Sequence, residues 1–324
     1  MRAAVIRSFG GPEVLEVMER EGLIPGPKEV LLDVKAAGIN RPDVFQRKGN
    51  YPAPAGAVAD IPGLEVSGVV KALGAEVKEL KIGDEVFALL AGGGYATEVC
   101  VDEGLCIRKP INLSFEDAAS LPETLFTVWH NVFQRGGLKK GDRLLVHGGS
   151  GGIGSMAIQL ATQFGTSVYC TVGNEEKAQF ALKMGAVKTI NYHQENFESE
   201  LKDFGINIIL DSIGGSYFEK NLNLLIEDGR LIQINATEGA KVNLNLLKLM
   251  QKRILLTGST LRARDVDFKR ALTKEIKEQV IPLFAKGNFQ SMLTKVFTLE
   301  EVVQAHQYFD SYQHFGKIVL IMNG

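Results

Sequence analysis

The 324-residue chain predicts an α/β fold in two parts, a β-rich first domain and a doubly wound parallel sheet. Three observations carry that expectation. Residues 141–154 run from a short apolar strand, Leu144 to His147, into a glycine-rich turn. From about Ser114 onward, helical patterns alternate with short strands, the signature of βαβ units. Before that point only short strands separated by turns are legible.

In the first part, 30–36, 66–72, 84–89 and 95–101 alternate or run apolar, as strands do. Gly10-Gly11-Pro12, Pro25-Gly26-Pro27, Gly83-Asp84 and Gly92-Gly93-Gly94 punctuate them. In the second part, strands are expected at 144–147, 167–172, 189–192, 206–211, 231–235 and 254–259. A long charged helix over 268–285 then ends at Gly287. The tail reads as strand 294–297, helix 299–309 and strand 317–321.

Composition narrows the function classes. Hydrophobic residues at 45% and charged residues at 23% describe an ordinary globular protein. A net charge of −2 offers no electrostatic footprint for nucleic acid or an anionic membrane. No apolar run is long enough to span a bilayer, and the N-terminal apolar stretch is too short for a secretory signal, so a cytoplasmic protein is expected. Cys100, Cys106 and Cys170 are odd in number and form no CxxC, which argues against a disulfide framework or structural zinc. The histidines (130, 147, 193, 306 and 314) show no ligand spacing, and no metal is expected.

The glycine-rich turn points to a dinucleotide. Gly148 permits the tight turn, Gly151 a close backbone approach to a pyrophosphate, and Gly154 close packing of helix on sheet. Gly152 and Ile153 open the following helix, whose free N–H groups and dipole favour phosphate. An NAD-type sheet places an acid at the end of its second strand to hold the ribose. Here that strand ends in Gly173-Asn174, and Lys177 can reach a 2′-phosphate. Tyr192 closes the third strand, where its phenol can meet the adenosine. NADPH is the expected cofactor.

Several motifs in order also carry a resemblance. Asn40-Arg41-Pro42-Asp43, the 49–54 loop around Tyr51, the 61–68 segment with Gly63-Leu64-Glu65, Lys81 to Asp84, Gly92 to Tyr95, Pro122 to Thr127, Asp211 to Gly215, Leu261 to Asp265 and Phe315 to Leu320 form the set. Together they resemble the zinc-free NADPH:quinone oxidoreductase (zeta-crystallin-like) branch of the medium-chain dehydrogenase/reductase superfamily. The resemblance implies a GroES-like catalytic domain over 1–121, completed by 292–324. It also implies a Rossmann domain over 122–291, with NADPH in the cleft between the two. Zinc-dependent members carry cysteine where this chain has Asn40-Arg41 and histidine where it has Leu64. Asn40 and Tyr51 are then expected to face the acceptor, and Thr127 the nicotinamide carboxamide. Gly214, Leu261, Gly316 and Lys317 are likewise implied at the cofactor.

The expected activity is metal-free transfer of reducing equivalents from NADPH to a quinone. Reduction of an alkenal or enone, or a nucleotide-binding structural or regulatory role, are the rival readings. No dedicated acid–base residue is evident. Relatives pair the exposed sheet edge near 254–259 across a two-fold axis, so a homodimer is expected.

Overall fold

The computed structural model describes residues 1–322, and the chain divides into two compact units. Residues 1–126 and 262–322 belong to the first, Thr127–Leu261 to the second.

The first unit is built on a seven-stranded sheet. Its path runs Leu293–Thr298, Lys317–Ile321, Glu29–Gly38, Glu65–Leu73, Glu85–Leu89 and Cys106–Arg108, and Glu98–Asp102 also pairs with Glu29–Gly38. Alternation along these strands sends Val30, Leu32, Val34, Val66, Val70, Val86 and Ala88 into one apolar core. The tail strand Lys317–Ile321 pairs parallel with Leu293–Thr298 and antiparallel with Glu29–Gly38. That pairing brings Lys317 close to Gly38 and Ile39. An N-terminal hairpin, Arg2–Ile6 with Leu15–Glu19, was not anticipated from the sequence. Its strands are five residues each and give little periodicity to read.

The second unit holds six parallel strands. Their spatial order is Lys188–Asn191, Ser167–Val172, Arg143–His147, Ile206–Asp211, Leu225–Gln233 and Leu255–Gly258. Numbered along the chain this is 3-2-1-4-5-6, the doubly wound Rossmann order. The order reverses between Arg143–His147 and Ile206–Asp211, so the loops leaving these two strands flank the switch point. Leu145, Ile190, Ile209, Phe218, Leu222 and Leu231 fill part of the core. Tyr192 lies one residue beyond its strand, although its N–H still donates to Val172 O at 3.1 Å.

Two expectations change. The helix anticipated over 268–285 is two helices, Val266–Gln279 and Ile281–Ala285. Pro282 has no N–H to give to Glu278 O, and its ring collides with that carbonyl, so the first helix stops. The chain also re-enters the first unit at Arg262 rather than at 292. Polar anchors explain the earlier return. Arg262 Nε donates to Ala91 O at 2.8 Å, and Arg270 forms an ion pair with Asp102.

Candidate functional site

In the second unit, the strand Arg143–His147 ends in a cradle of backbone amides. Gly148 sits at φ 78°, a conformation glycine adopts without cost. The helix Gly152–Gln163 starts with Gly151 as its N-cap and no side-chain cap. Its first intrahelical bond runs from Ser155 N to Gly151 O at 2.8 Å. Helix geometry therefore leaves the amides of Gly152, Ile153 and Gly154 without a helical acceptor. A Cβ on Gly154 would lie 2.3 Å from Gly148 O and 2.7 Å from Gly149 Cα, so only a bare Cα fits there. A Cβ on Gly151 would meet only Gly148 O, at 3.6 Å. Gly154 thus packs the turn on the helix, while the space above Gly151 stays open beside the amides. This cradle fits a pyrophosphate.

A buried polar network braces the cradle. The His147 ring bonds Asn221 Oδ1 through Nε2 at 2.8 Å and Thr171 Oγ1 through Nδ1 at 3.2 Å. Asn221 Nδ2 donates to Asp211 Oδ2 at 3.1 Å, which fixes the Asn221 amide and places the ring proton on His147 Nε2. Burial, the largest influence, holds the imidazole below its ordinary pKa, so it is a neutral strut.

At the end of the second strand, Asn174 caps the helix Glu175–Lys183, its Oδ1 accepting from Lys177 N at 2.9 Å. A Cβ on Gly173 would lie 2.6 Å from Tyr192 Oη. The phenol therefore lies against the strand end, and Gly173, Asn174, Lys177 and Tyr192 gather at one corner of the sheet. Burial lowers the Lys177 ammonium pKa. Gly214 has φ 68° and Leu261 is buried, while Thr127 O accepts from Asn131 Nδ2 at 2.9 Å.

The first unit carries a different chemistry, a buried cluster of charges around Asn40. Glu65 is fully buried in the strand Glu65–Leu73. Its Oε1 accepts from Lys317 Nζ at 2.5 Å and from Asn40 Nδ2 at 2.7 Å. Its Oε2 accepts from the Glu123 backbone N–H at 2.8 Å. Lys317 Nζ also donates to Asn40 Oδ1 at 2.6 Å and Ile39 O at 3.2 Å. An ammonium only donates and a carboxylate only accepts, so the Asn40 amide has a single permitted orientation. One of its two N–H donors goes to Glu65, and no described protein acceptor takes the other.

Gly38 makes room for this arrangement: a Cβ there would lie 2.1 Å from Glu65 Oε1. Lys317, implied at the cofactor by resemblance, instead directs its three ammonium protons to protein acceptors and holds Asn40 in place. Gly316 precedes it at φ 62°.

Asp43, in the first turn of the helix Arg41–Arg47, accepts from Asn40 N at 2.8 Å, Gly63 N at 3.0 Å and Tyr95 Oη at 3.0 Å. Burial raises its carboxyl to about 6 against the opposing pull of those donors and of Lys317. Tyr51 is tethered through Arg262, whose Nη1 donates to Tyr51 O at 3.3 Å and whose guanidinium lies 5.4 Å from the ring centre. Arg262 Nη2 also donates to Gln46 Oε1 at 2.6 Å. Glu123, at the start of the helix Pro122–Val128, is half-buried. Desolvation first, then Glu65 and Asp43, push its carboxyl up to about 8 against Lys317 and Arg262.

Sequence reading found Asn40 and Tyr51 but missed Glu65, Glu123 and Arg262 as members of this cluster. A usable signal was present for Glu65, an acid inside the apolar strand segment 64–70 that must find a buried cation.

An amide cradle at a Rossmann switch point, joined in one chain to a GroES-type β unit, defines a two-domain, nucleotide-dependent oxidoreductase. Residues 26–111 match the alcohol dehydrogenase GroES-like domain, and 152–280 the zinc-binding dehydrogenase family. Quinone oxidoreductase 1 of Escherichia coli is 31% identical over 96% of this chain and 97% of its own length. The solved E. coli quinone oxidoreductase in complex with NADPH superposes with a TM-score of 0.87 at 29% identity, covering 99% of this chain and 100% of that one. A structure described as an NAD-dependent alcohol dehydrogenase gives 0.89 at 31% identity over the whole of both chains. The chain belongs to the medium-chain dehydrogenase/reductase superfamily and, within it, to the quinone oxidoreductase family.

Zinc, implied by the name of one matching family, does not fit the residues present. Among the described residues no group of three or more His, Cys, Asp or Glu side chains is arranged to hold a metal. The carboxylate at the centre of the cluster, Glu65, already neutralises the Lys317 ammonium. A dication beside that ammonium would be repelled, and the amide of Asn40 is no substitute for thiolate or imidazole.

Proposed function

We propose that the protein is an NADPH-dependent quinone oxidoreductase that works without a metal ion. The observation that carries this reading is the Asn40 amide, locked by Lys317 and Glu65 with one N–H left over. The Tyr51 phenol is a second donor, on a loop pinned by Arg262. Two such donors suit an acceptor oxygen on which negative charge grows. When bound, NADPH supplies the hydride. The amides of Gly152, Ile153 and Gly154 hold its pyrophosphate, and Lys177, Tyr192 and Gly173 receive the phosphorylated ribose and adenosine. Without a Lewis acid the chain is poorly equipped to oxidise an alcohol, whereas a quinone accepts hydride through its own electronics.

The edge strand Leu255–Gly258 supports a homodimer. Leu255 is 50% exposed and Leu256 39%, and Leu246, Leu247 and Met250 on a nearby helix are about as open. An apolar, unpaired strand edge of this kind is normally covered. Among the described residues no helix is long and apolar enough to cross a membrane. A cytoplasmic enzyme acting on small molecules, with no role in nucleic-acid binding, agrees with the near-neutral charge.

The test is NADPH oxidation followed at 340 nm against ortho-quinones, para-quinones and 2-alkenals, with NADH as the control. Turnover with quinones and a preference for NADPH are expected. Activity confined to alkenals would overturn the assignment.

A further inference from the structure

Quinone reduction consumes a proton as well as a hydride, and the sequence offered no donor for it. Glu123 belongs to the charge cluster around Asn40 and carries the chemistry such a donor needs. Glu123 is bound through its backbone to Oε2 of the same carboxylate whose Oε1 holds the Asn40 amide. Burial raises the pKa of the Tyr51 phenol, Arg262 opposes it, and the Glu123 charge adds to the rise. No described protein donor hydrogen-bonds its carboxyl oxygens, in contrast to Asp43 and Glu65, whose oxygens are filled. Glu123 is half-buried as a residue, whereas Asp43 and Glu65 are fully buried.

Resting on the quinone reductase reading, we propose that Glu123 is the proton donor of the reaction, a catalytic acid facing the acceptor held by Asn40 and Tyr51. Every charged group that faces it has a definite part. Glu65 from its strand and Asp43 from the helix Arg41–Arg47 oppose ionisation of Glu123, while Lys317 from the tail strand and Arg262 favour it. Lys269, on the helix Val266–Gln279, is itself under the influence of the Glu123 charge. Tyr51 stays neutral beside it, held up first by burial. The balance keeps Glu123 a carboxylic acid near neutral pH.

In the proton step the O–H bond of the Glu123 acid breaks and a new O–H bond forms on the acceptor oxygen, leaving the Glu123 carboxylate. The acceptor gains its electron pair with the hydride that NADPH supplies. The carboxylate regains a proton from water once product has left. Net, quinone, NADPH and one proton give hydroquinone and NADP⁺.

The test pairs kinetics with spectroscopy on the full chain. Glu123→Gln keeps the shape and removes the acid. With an ordinary para-quinone at saturating NADPH, kcat is expected to fall about a hundredfold. The wild-type decline in rate as pH rises through about 8 should vanish in the variant. With a tetrachlorinated quinone, whose reduced anion needs no proton, the loss should be less than about threefold. Infrared difference titration without cofactor should show a carboxylic acid C=O band bleaching with a midpoint near 8 in the wild type and absent from Glu123→Gln.

An unchanged rate and pH profile in the variant overturns the proposal, and so does the lack of that band in the wild type. A wild type that carries the band yet oxidises no NADPH with any quinone refutes the quinone reductase reading, and the proton-donor role falls with it.

Discussion

Replacing Glu123 by Gln should make the folded protein less sensitive to alkaline pH even as it slows turnover. The acid is pushed up to about 8 in the fold, against 4.5 for an ordinary glutamate. The unfolded chain therefore gives up its proton first. The stabilisation is present below pH 4.5, drains away as pH climbs, and is gone once pH passes about 8. Each pH unit across that window is worth about 1.4 kcal/mol. Asp43, raised to about 6, completes its own loss lower down in both proteins. From pH 6.5 to 9 the remaining Glu123 contribution is about 2 kcal/mol, reduced to about 1–2 by the partial exposure of the side chain. Urea unfolding of wild type and Glu123→Gln at both pH values measures it. The variant should gain on the wild type by that amount between the two conditions. Parallel stability changes in the two proteins would refute the reasoning, because an ionising acid in this cluster must cost the fold something.

Other perturbations probe the rest of the site. Lys317→Met strands the Glu65 carboxylate in a fully buried position, and about 3–5 kcal/mol of stability should be lost by urea titration. The double variant Lys317→Met, Glu65→Gln should recover part of that loss; simple additivity would show that the two groups do not communicate. Gly154→Ala forces a Cβ to 2.3 Å from Gly148 O, so NADPH affinity measured by fluorescence titration should fall at least tenfold. Lys177→Ala should weaken NADPH far more than NADH, and equal losses would remove its phosphate role. Asn40→Ala should lower kcat by about tenfold or more with NADPH affinity unchanged, read from the same titration.

The glycine-rich amide cradle was legible because its causes are local. A strand, a turn glycine at 148, an open position at 151 and a contact glycine at 154 lie within fourteen residues, and the stereochemistry of glycine specifies each role. Strand alternation likewise gave away most of the two sheets. The break at Pro282 was legible in principle, since proline cannot continue a helix, but the long charged run before it masked it.

What the chain alone made legible is therefore the two fold types and the glycine-rich turn between strand and helix; Asn40 and Tyr51 entered as candidate donors through the family resemblance. Only the tertiary structure decided what those donors mean. Lys317 and Asn40 are separated by 277 residues and meet because the tail strand pairs beside Glu29–Gly38. Glu65 and Glu123 lie 58 apart and join through one hydrogen bond. Burial and charge balance are properties of such meetings rather than of any residue type. A glutamate in a sequence is an ordinary acid; in this fold desolvation and the neighbouring Glu65 and Asp43 carboxylates push Glu123 up to about 8.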